Sequence, residues 1–241
     1  MSFSSAVSKA PKTFGHSWIG SSIGQKTIVA VTGIILILFV FGHLLGNLTI
    51  FLGPEWINSY AQHLRDWGPL LWMVRVVLIL AVLLHIYFTM LLWNSAAKGT
   101  PEKTVFRTQI QTTIFSRTMR LSGLIIFAFV VFHLAHFTWG WIQPEYAHLN
   151  TDQNQHNVFA MMVYGFRNPY IVAFYILGLA LLAFHLSHGI GSLFQTLGLS
   201  NQKLRPLFNT AGRWIAWALF LGYVSIPLSI FFFGLGNDLV K

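Results

Sequence analysis

Apolar runs of twenty residues or more recur five times along the chain, at 27–52, 69–93, 121–141, 170–197 and 214–234. Polar or charged stretches separate them, 143–168 among them. A helix rises about 1.5 Å per residue, so about 20 apolar residues cross a hydrocarbon layer of about 30 Å. The pattern predicts an all-α integral membrane bundle of five transmembrane helices, forming a single domain over residues 1–241. No internal repeat stands out.

Composition agrees with the pattern. Hydrophobic residues make up 55% of the chain and charged residues 9%, where a soluble domain carries about 25% charged residues. Too little polar surface is present to cover a soluble core. Cysteine is absent, which excludes an iron–sulfur cluster held by this chain, a thiolate-ligated haem and a haem attached through C-x-x-C-H. The net charge of +9 raises the question of nucleic acid, but the charges, Arg75 apart, fall outside the apolar runs, so no nucleic-acid partner is expected. Residues 1–26 lack the short apolar core of a cleaved signal and are expected to stay in the mature protein, with the first span as the insertion signal.

Charge also sets direction. Lys9, Lys12 and Lys26 precede the first span, Lys98, Lys103, Arg107, Arg117 and Arg120 join the second to the third, and Lys203, Arg205 and Arg213 join the fourth to the fifth. These are eleven of the fifteen basic residues, all on one side. Five of the six acids, Glu55, Asp66, Glu145, Asp152 and Asp238, fall on the other. The positive-inside rule then puts the N-terminus in the cytoplasm and the C-terminus outside. Trp93, Trp139, Trp141 and Trp214 sit near span ends, where indole rings anchor at the interface.

Histidines interrupt four of the five runs: His43, His85, His133 and His136, and His185 and His188. An ionisable residue inside a membrane span is costly and points to function. Direction turns sequence position into depth. From the inner edge, His43 lies roughly 24 Å deep, His85 roughly 12 Å, His133 and His136 roughly 18 and 22 Å, and His185 and His188 roughly 18 and 14 Å. Spans one and three therefore offer histidine to the outer half, and spans two and four to the inner half. Two bis-histidine haems stacked across the membrane meet this pattern: an outer one between His43 and either His133 or His136, and an inner one between His85 and either His185 or His188. The same histidines would also suit a proton relay in a haem-free transporter or channel. A bare transition metal suits them less, because no carboxylate or thiol lies at matching depth. His16, His63, His148 and His156 fall in connections or at an edge and are expected to be solvated.

The residues around these histidines resemble the membrane cytochrome b subunit of succinate dehydrogenase and fumarate reductase, in its single-subunit, five-helix, di-haem type. The first span reads Ser22-Ile-Gly-Gln-Lys26, Thr32-Gly33 and Gly42-His-Leu-Leu-Gly-Asn47; the second reads Leu83-Leu-His-Ile-Tyr87. The third reads Arg120-Leu-Ser-Gly123 and Val131-Phe-His-Leu134, and the fourth Phe184-His-Leu-Ser-His-Gly189. The resemblance covers nearly the whole chain and rests on the ordered set rather than on any one motif.

The resemblance implies His43 and His133 as axial ligands of the outer (distal) haem b, and His85 and His185 as those of the inner (proximal) haem b. His136 and His188 are then candidates for hydrogen bonds to haem propionates, or for packing. Gln25 and Lys26 are candidates for proximal propionates. Arg75 is a candidate for a distal propionate, or snorkels to the interface. It implies partners as well: a flavoprotein and an iron–sulfur subunit on the cytoplasmic face, a membrane quinone (menaquinone for the di-haem type), and lipids of the bacterial cytoplasmic membrane. Quinone chemistry moves protons, and Asp66, with Glu55 as the weaker candidate, is the acid expected near the outer end of span two. Cytochrome b subunits of hydrogenase or formate dehydrogenase also hold haem through intramembrane histidine, but lack this ordered motif set.

Overall fold

The computed structural model describes residues 18–98, 114–152 and 154–240. The described residues are helical apart from turns and one isolated antiparallel bridge between Asn150 and His156. In chain order the α-helices are α1 (Ser22–Leu48), α2 (Pro54–Asp66), α3 (Pro69–Lys98), α4 (Ile114–Phe137), α5 (Pro144–Ala147), α6 (Val158–Gly165), α7 (Pro169–Thr196) and α8 (Leu204–Phe233). Single 3-10 turns at Trp18–Gly20, Thr49–Leu52 and Asn237–Val240 flank them.

Four helical stretches are long and apolar enough to cross a membrane: Ser22–Leu52, Pro69–Ser95, Pro169–Thr196 and Leu204–Phe233. The third apolar run of the sequence forms α4, whose apolar part, Leu121–Phe137, is shorter than the others. The run was expected to continue to 141. It stops at Phe137 because the chain reverses there: the Thr138 and Trp139 amides both return to the Leu134 carbonyl, at 2.9 and 2.7 Å, and Gly140 takes a left-handed φ of 65°. Such a closing loop satisfies the last helical carbonyls. The fifth run was expected to begin at 214, yet α8 begins ten residues earlier and carries Arg205 and Arg213 in its first turns.

Helix starts follow local chemistry. Ser21 caps α1 by accepting from the Gly24 amide at 3.0 Å, and Asn157 caps α6 through Ala160 at 3.0 Å. Asn168 caps α7, with Pro169 in its first turn. Each cap gives a partner to an amide that the helix leaves unpaired.

Packing divides the long helices into two groups. The helix α1 lies against α3, while α7 lies against α4 and, most extensively, α8. Contacts of α1 with α8 and α7 close the bundle. Neither α1 with α4 nor α3 with α7 is among the closely packed pairs of the described residues. An interior seam therefore runs between α1/α3 and α4/α7. The outward faces of α1 and α3 expose Leu38, Phe41, Ile79 and Leu83, as surfaces bathed in lipid do.

The connections at one end, expected as loops, instead fold into a cap of α2, α5 and α6. Residues Phe159, Ala160, Met161, Met162 and Val163 of α6 are buried, Val163 completely. Phe159, Met162 and Val163 join Ile50, Phe129 and Ile230 in the larger of two apolar clusters. Asn58 ties α2 to α6, donating to Asn157 Oδ1 at 3.2 Å and accepting from the Phe159 amide at 3.0 Å.

His156 sits in this cap, half-buried rather than solvated. Burial, followed by the charges of Arg65 and His148, pushes its pKa down from 6.5 to about 4. Folded, the imidazole stays neutral at pH values where the unfolded chain binds a proton, so stability falls as pH drops from about 6.5 towards 4. Thermal unfolding in detergent across that window should show this slope, and His156→Leu should flatten it.

Candidate functional site

The seam between α1/α3 and α4/α7 holds four histidines as two facing pairs. His43 of α1 faces His133 of α4, with ring centroids 5.8 Å apart and planes at 82°. His85 of α3 faces His185 of α7, with centroids 6.4 Å apart and planes at 61°. All four rings are half-buried. Helix register separates the pairs into two levels. Gly33 of α1 lies beside His85, and Gly123 of α4 beside His185. His43 follows Gly33 by ten residues, and His133 follows Gly123 by ten. Ten residues of helix give about 15 Å between levels.

Each level has its own hydrogen-bond chemistry. Thr32 Oγ1 lies 2.8 Å from the Ile28 carbonyl and 3.1 Å from His85 Nδ1. A hydroxyl has one proton. With that proton given to the carbonyl, Thr32 accepts from His85 Nδ1–H, and Nε2 of His85 is left as a bare acceptor. On the facing ring, His185 Nδ1 is buried with no hydrogen-bond partner among the described residues, so the protein's own bonds do not use up this imidazole. At the other level, His133 Nδ1 lies 3.3 Å from the Tyr175 hydroxyl. Phe39 stacks on His43 with centroids 5.2 Å apart.

The glycines in the seam separate by function. A Cβ on Gly33 would sit 3.6 Å from His85 Cε1, and one on Gly123 3.7 Å from His185 Cε1. Both helices thus bring bare backbone against an imidazole. Gly178 serves packing instead, because the Phe129 ring fills the space its side chain would take.

The remaining sequence candidates are dispersed. His136 is 3% exposed and spends both ring nitrogens on protein partners, Tyr175 at 3.0 Å and Gln143 at 2.9 Å. His188 is half-buried one turn beyond His185. Gln25 is half-buried and Lys26 exposed, both in the first turns of α1. Arg75 is exposed, with its guanidinium 4.9 Å from the Trp72 ring centroid. Glu55 and Asp66 occupy opposite ends of α2, both exposed, and Asp66 accepts from Gln62 at 2.8 Å. The α2 register puts them about 16 Å apart, so they do not form a carboxylate pair. Lys103 and Arg107 lie outside the described residues.

Thr32, Tyr175 and Gln143 were not singled out for a role by the sequence. Tyr175 had a signal: it is a hydroxyl in an apolar run, ten residues before His185. A residue at that offset on α7 stands level with the other histidine pair.

Two imidazoles bound on opposite sides of one ion, with bonds of about 2 Å and a ring radius of about 1.1 Å, have centroids about 6.3 Å apart. The two pairs stand at 5.8 and 6.4 Å. Two protein ligands per level are too few for a bare ion, and no group of three or more His, Cys, Asp or Glu that could hold one occurs among the described residues. A macrocycle that brings four nitrogens of its own needs only the two axial imidazoles. Each level therefore offers two imidazoles facing across the seam. No family model matches the chain, and no curated protein or solved structure matches it either.

Proposed function

We propose that this chain is the membrane-anchor cytochrome b subunit of a succinate:quinone oxidoreductase, a five-span bundle in the bacterial cytoplasmic membrane with two haems b. The observation that carries the reading is the two facing imidazole pairs, set at two levels about 15 Å apart on four different helices. The ordered motifs around those histidines direct it to this enzyme class rather than to another respiratory cytochrome b. In this reading α4 is the third of the five spans, continued towards the inner surface by its first turns.

His43 and His133 would hold the distal haem, and His85 and His185 the proximal one. A bound haem supplies one-electron transfer at its iron. The protein's part is to fix the ligand rings. Thr32 orients His85 by accepting from Nδ1, as the outer partners of metal-bound histidine do. Gly33 and Gly123 leave room beside the inner imidazoles. Phe39 holds His43 by stacking. The bundle keeps the pairs on one seam, so electrons from a flavoprotein and an iron–sulfur subunit on the cytoplasmic face would travel along its length to a quinone, menaquinone in the di-haem type. Gln25 and Lys26 stand at the inner end, where the proximal propionates would need donors. The cap end is then the outer end, and there Asp66, with Glu55 second, supplies a carboxylate for the protons that quinone turnover moves. Arg205 and Arg213, in the first turns of α8, add positive charge at the inner surface for the partner subunits and lipid headgroups.

Two measurements test the reading. Dithionite should give the purified chain b-type absorption bands, with two haems per chain; absence of the bands sinks it, and a value near one removes one pair. The complex isolated through this chain should contain a flavoprotein and an iron–sulfur protein and reduce a menaquinone analogue with succinate. Co-isolation of hydrogenase or formate dehydrogenase subunits instead would assign the chain to that class.

A further inference from the structure

We infer that Gln143, His136 and Tyr175 form a directed hydrogen-bond relay that fixes the tautomer of His133, making them positioning residues for the distal haem. The inference rests on the haem reading above and goes further by giving a role to three residues which that reading leaves unused.

Proton bookkeeping sets the direction. A neutral imidazole has one N–H donor and one acceptor nitrogen. Gln143 Oε1 accepts only, so at 2.9 Å it takes the Nε2–H of His136. His136 Nδ1 is then an acceptor, and at 3.0 Å the Tyr175 hydroxyl donates to it. That spends the one phenolic proton. Towards His133, at 3.3 Å, the Tyr175 oxygen can only accept, and it takes Nδ1–H. Nε2 of His133 is left bare, the form an iron ligand requires. The Gln143 carbonyl thus sets every bond in the relay. An amide turned the other way would reverse each one and leave His133 protonated on its ligating nitrogen.

Burial keeps the relay ordered. His136 is 3% and Tyr175 5% exposed, and Phe129, Phe137 and Phe166 surround Tyr175 with ring centroids 4.9–5.9 Å away. Water has little access to offer competing bonds. The inner level achieves the same end more simply, with one threonine on His85. The relay also explains why His136 sits one turn from a proposed ligand without being one: both its nitrogens are committed.

The test uses the intact complex in detergent, with haem per chain and a redox titration of each b band as readouts. An acceptor on Nδ1–H makes the imidazole a better donor to iron, so losing it favours the ferrous state. Tyr175→Phe should lower the oxidised-to-reduced ratio of the distal haem about tenfold at fixed ambient potential, an upward shift of about 59 mV for one electron. It should also weaken distal haem retention about tenfold and leave the proximal haem unchanged. Gln143→Leu, a milder change at the outer end of the relay, should shift the distal potential the same way. Gln143→Glu keeps an acceptor in place and should retain wild-type occupancy without the upward shift. The inference is overturned if wild type holds two haems while both Tyr175→Phe and Gln143→Leu leave the distal potential and occupancy unchanged. It is equally overturned if Gln143→Glu behaves like Gln143→Leu, which would reduce the three residues to packing. A wild-type chain without a distal haem would overturn the haem reading itself, a separate result.

Discussion

Replacing His43 with alanine should halve the haem content, from two per chain to one, and the haem lost should be the distal one. The proximal haem should keep its band and its potential. The expectation follows from the separation of the two levels, about 15 Å along both α1 and α4. His85 and His185 draw on Thr32, Gly33 and Gly123 for their surroundings, none of which touches His43. Removing one axial imidazole leaves His133 in place but with nothing opposite it. His133→Ala should repeat the result, and His85→Ala should invert it, costing the proximal haem alone. On the proposed function, succinate-dependent quinone reduction should fall in each case, because one haem of the route would be missing. Pyridine haemochrome quantification with a redox titration reads the outcome. Loss of both haems from His43→Ala would mean that the levels are one cooperative site. Retention of both would remove His43 from the ligand set.

Much of the fold could be read from apolar run length, because a membrane span must pair its backbone internally and present an apolar surface. The starts of α3 and α7 fall within a residue of the expected run. The histidine levels were legible for the same reason, since span direction converts position to depth. Depth could not choose between His133 and His136, one turn apart on α4. In the fold His133 turns to His43, while His136 turns to Tyr175 and Gln143. That difference depends on Tyr175, 39 residues away from His136, which run length and depth do not register. The cap was missed for another reason. A scan for runs of about 20 apolar residues passes over α6, whose eight residues are apolar but short. It passes over α2 because that helix mixes polar and apolar positions. Signals were present in both: Gly53 before Pro54, Glu55 in the first turn with His63 and Arg65 in the last, and Asn157 ahead of the apolar stretch. Proline at a helix start and charges that oppose the helix dipole are what such a helix selects.

The glycines beside the inner pair should separate size from ligation. Gly33→Ala puts a Cβ 3.6 Å from His85 Cε1 and 3.9 Å from the Leu193 methyl carbon Cδ1, ordinary van der Waals distances. It should leave two haems per chain, and a helix interior gains about 0.5–1 kcal/mol from the change. Gly33→Leu carries three further carbons into the same space. The ring of His85 must then leave its position, and its bond to Thr32 Oγ1 goes with it. Overpacking of this kind costs about 1–3 kcal/mol, which the bundle can bear more readily than the proposed ligation, because a displaced His85 ring would no longer face His185. Gly123→Leu should act from the opposite helix, since its added Cβ would stand 3.7 Å from His185 Cε1. Both leucine variants should therefore assemble in the membrane, lose the proximal haem and retain the distal one. That outcome would mirror His43→Ala without touching a ligand. If both leucine variants retained two haems while the alanine variants did too, the backbone at Gly33 and Gly123 would be serving helix packing alone. The inner imidazoles would then owe their positions to α3 and α7, not to the glycines opposite them.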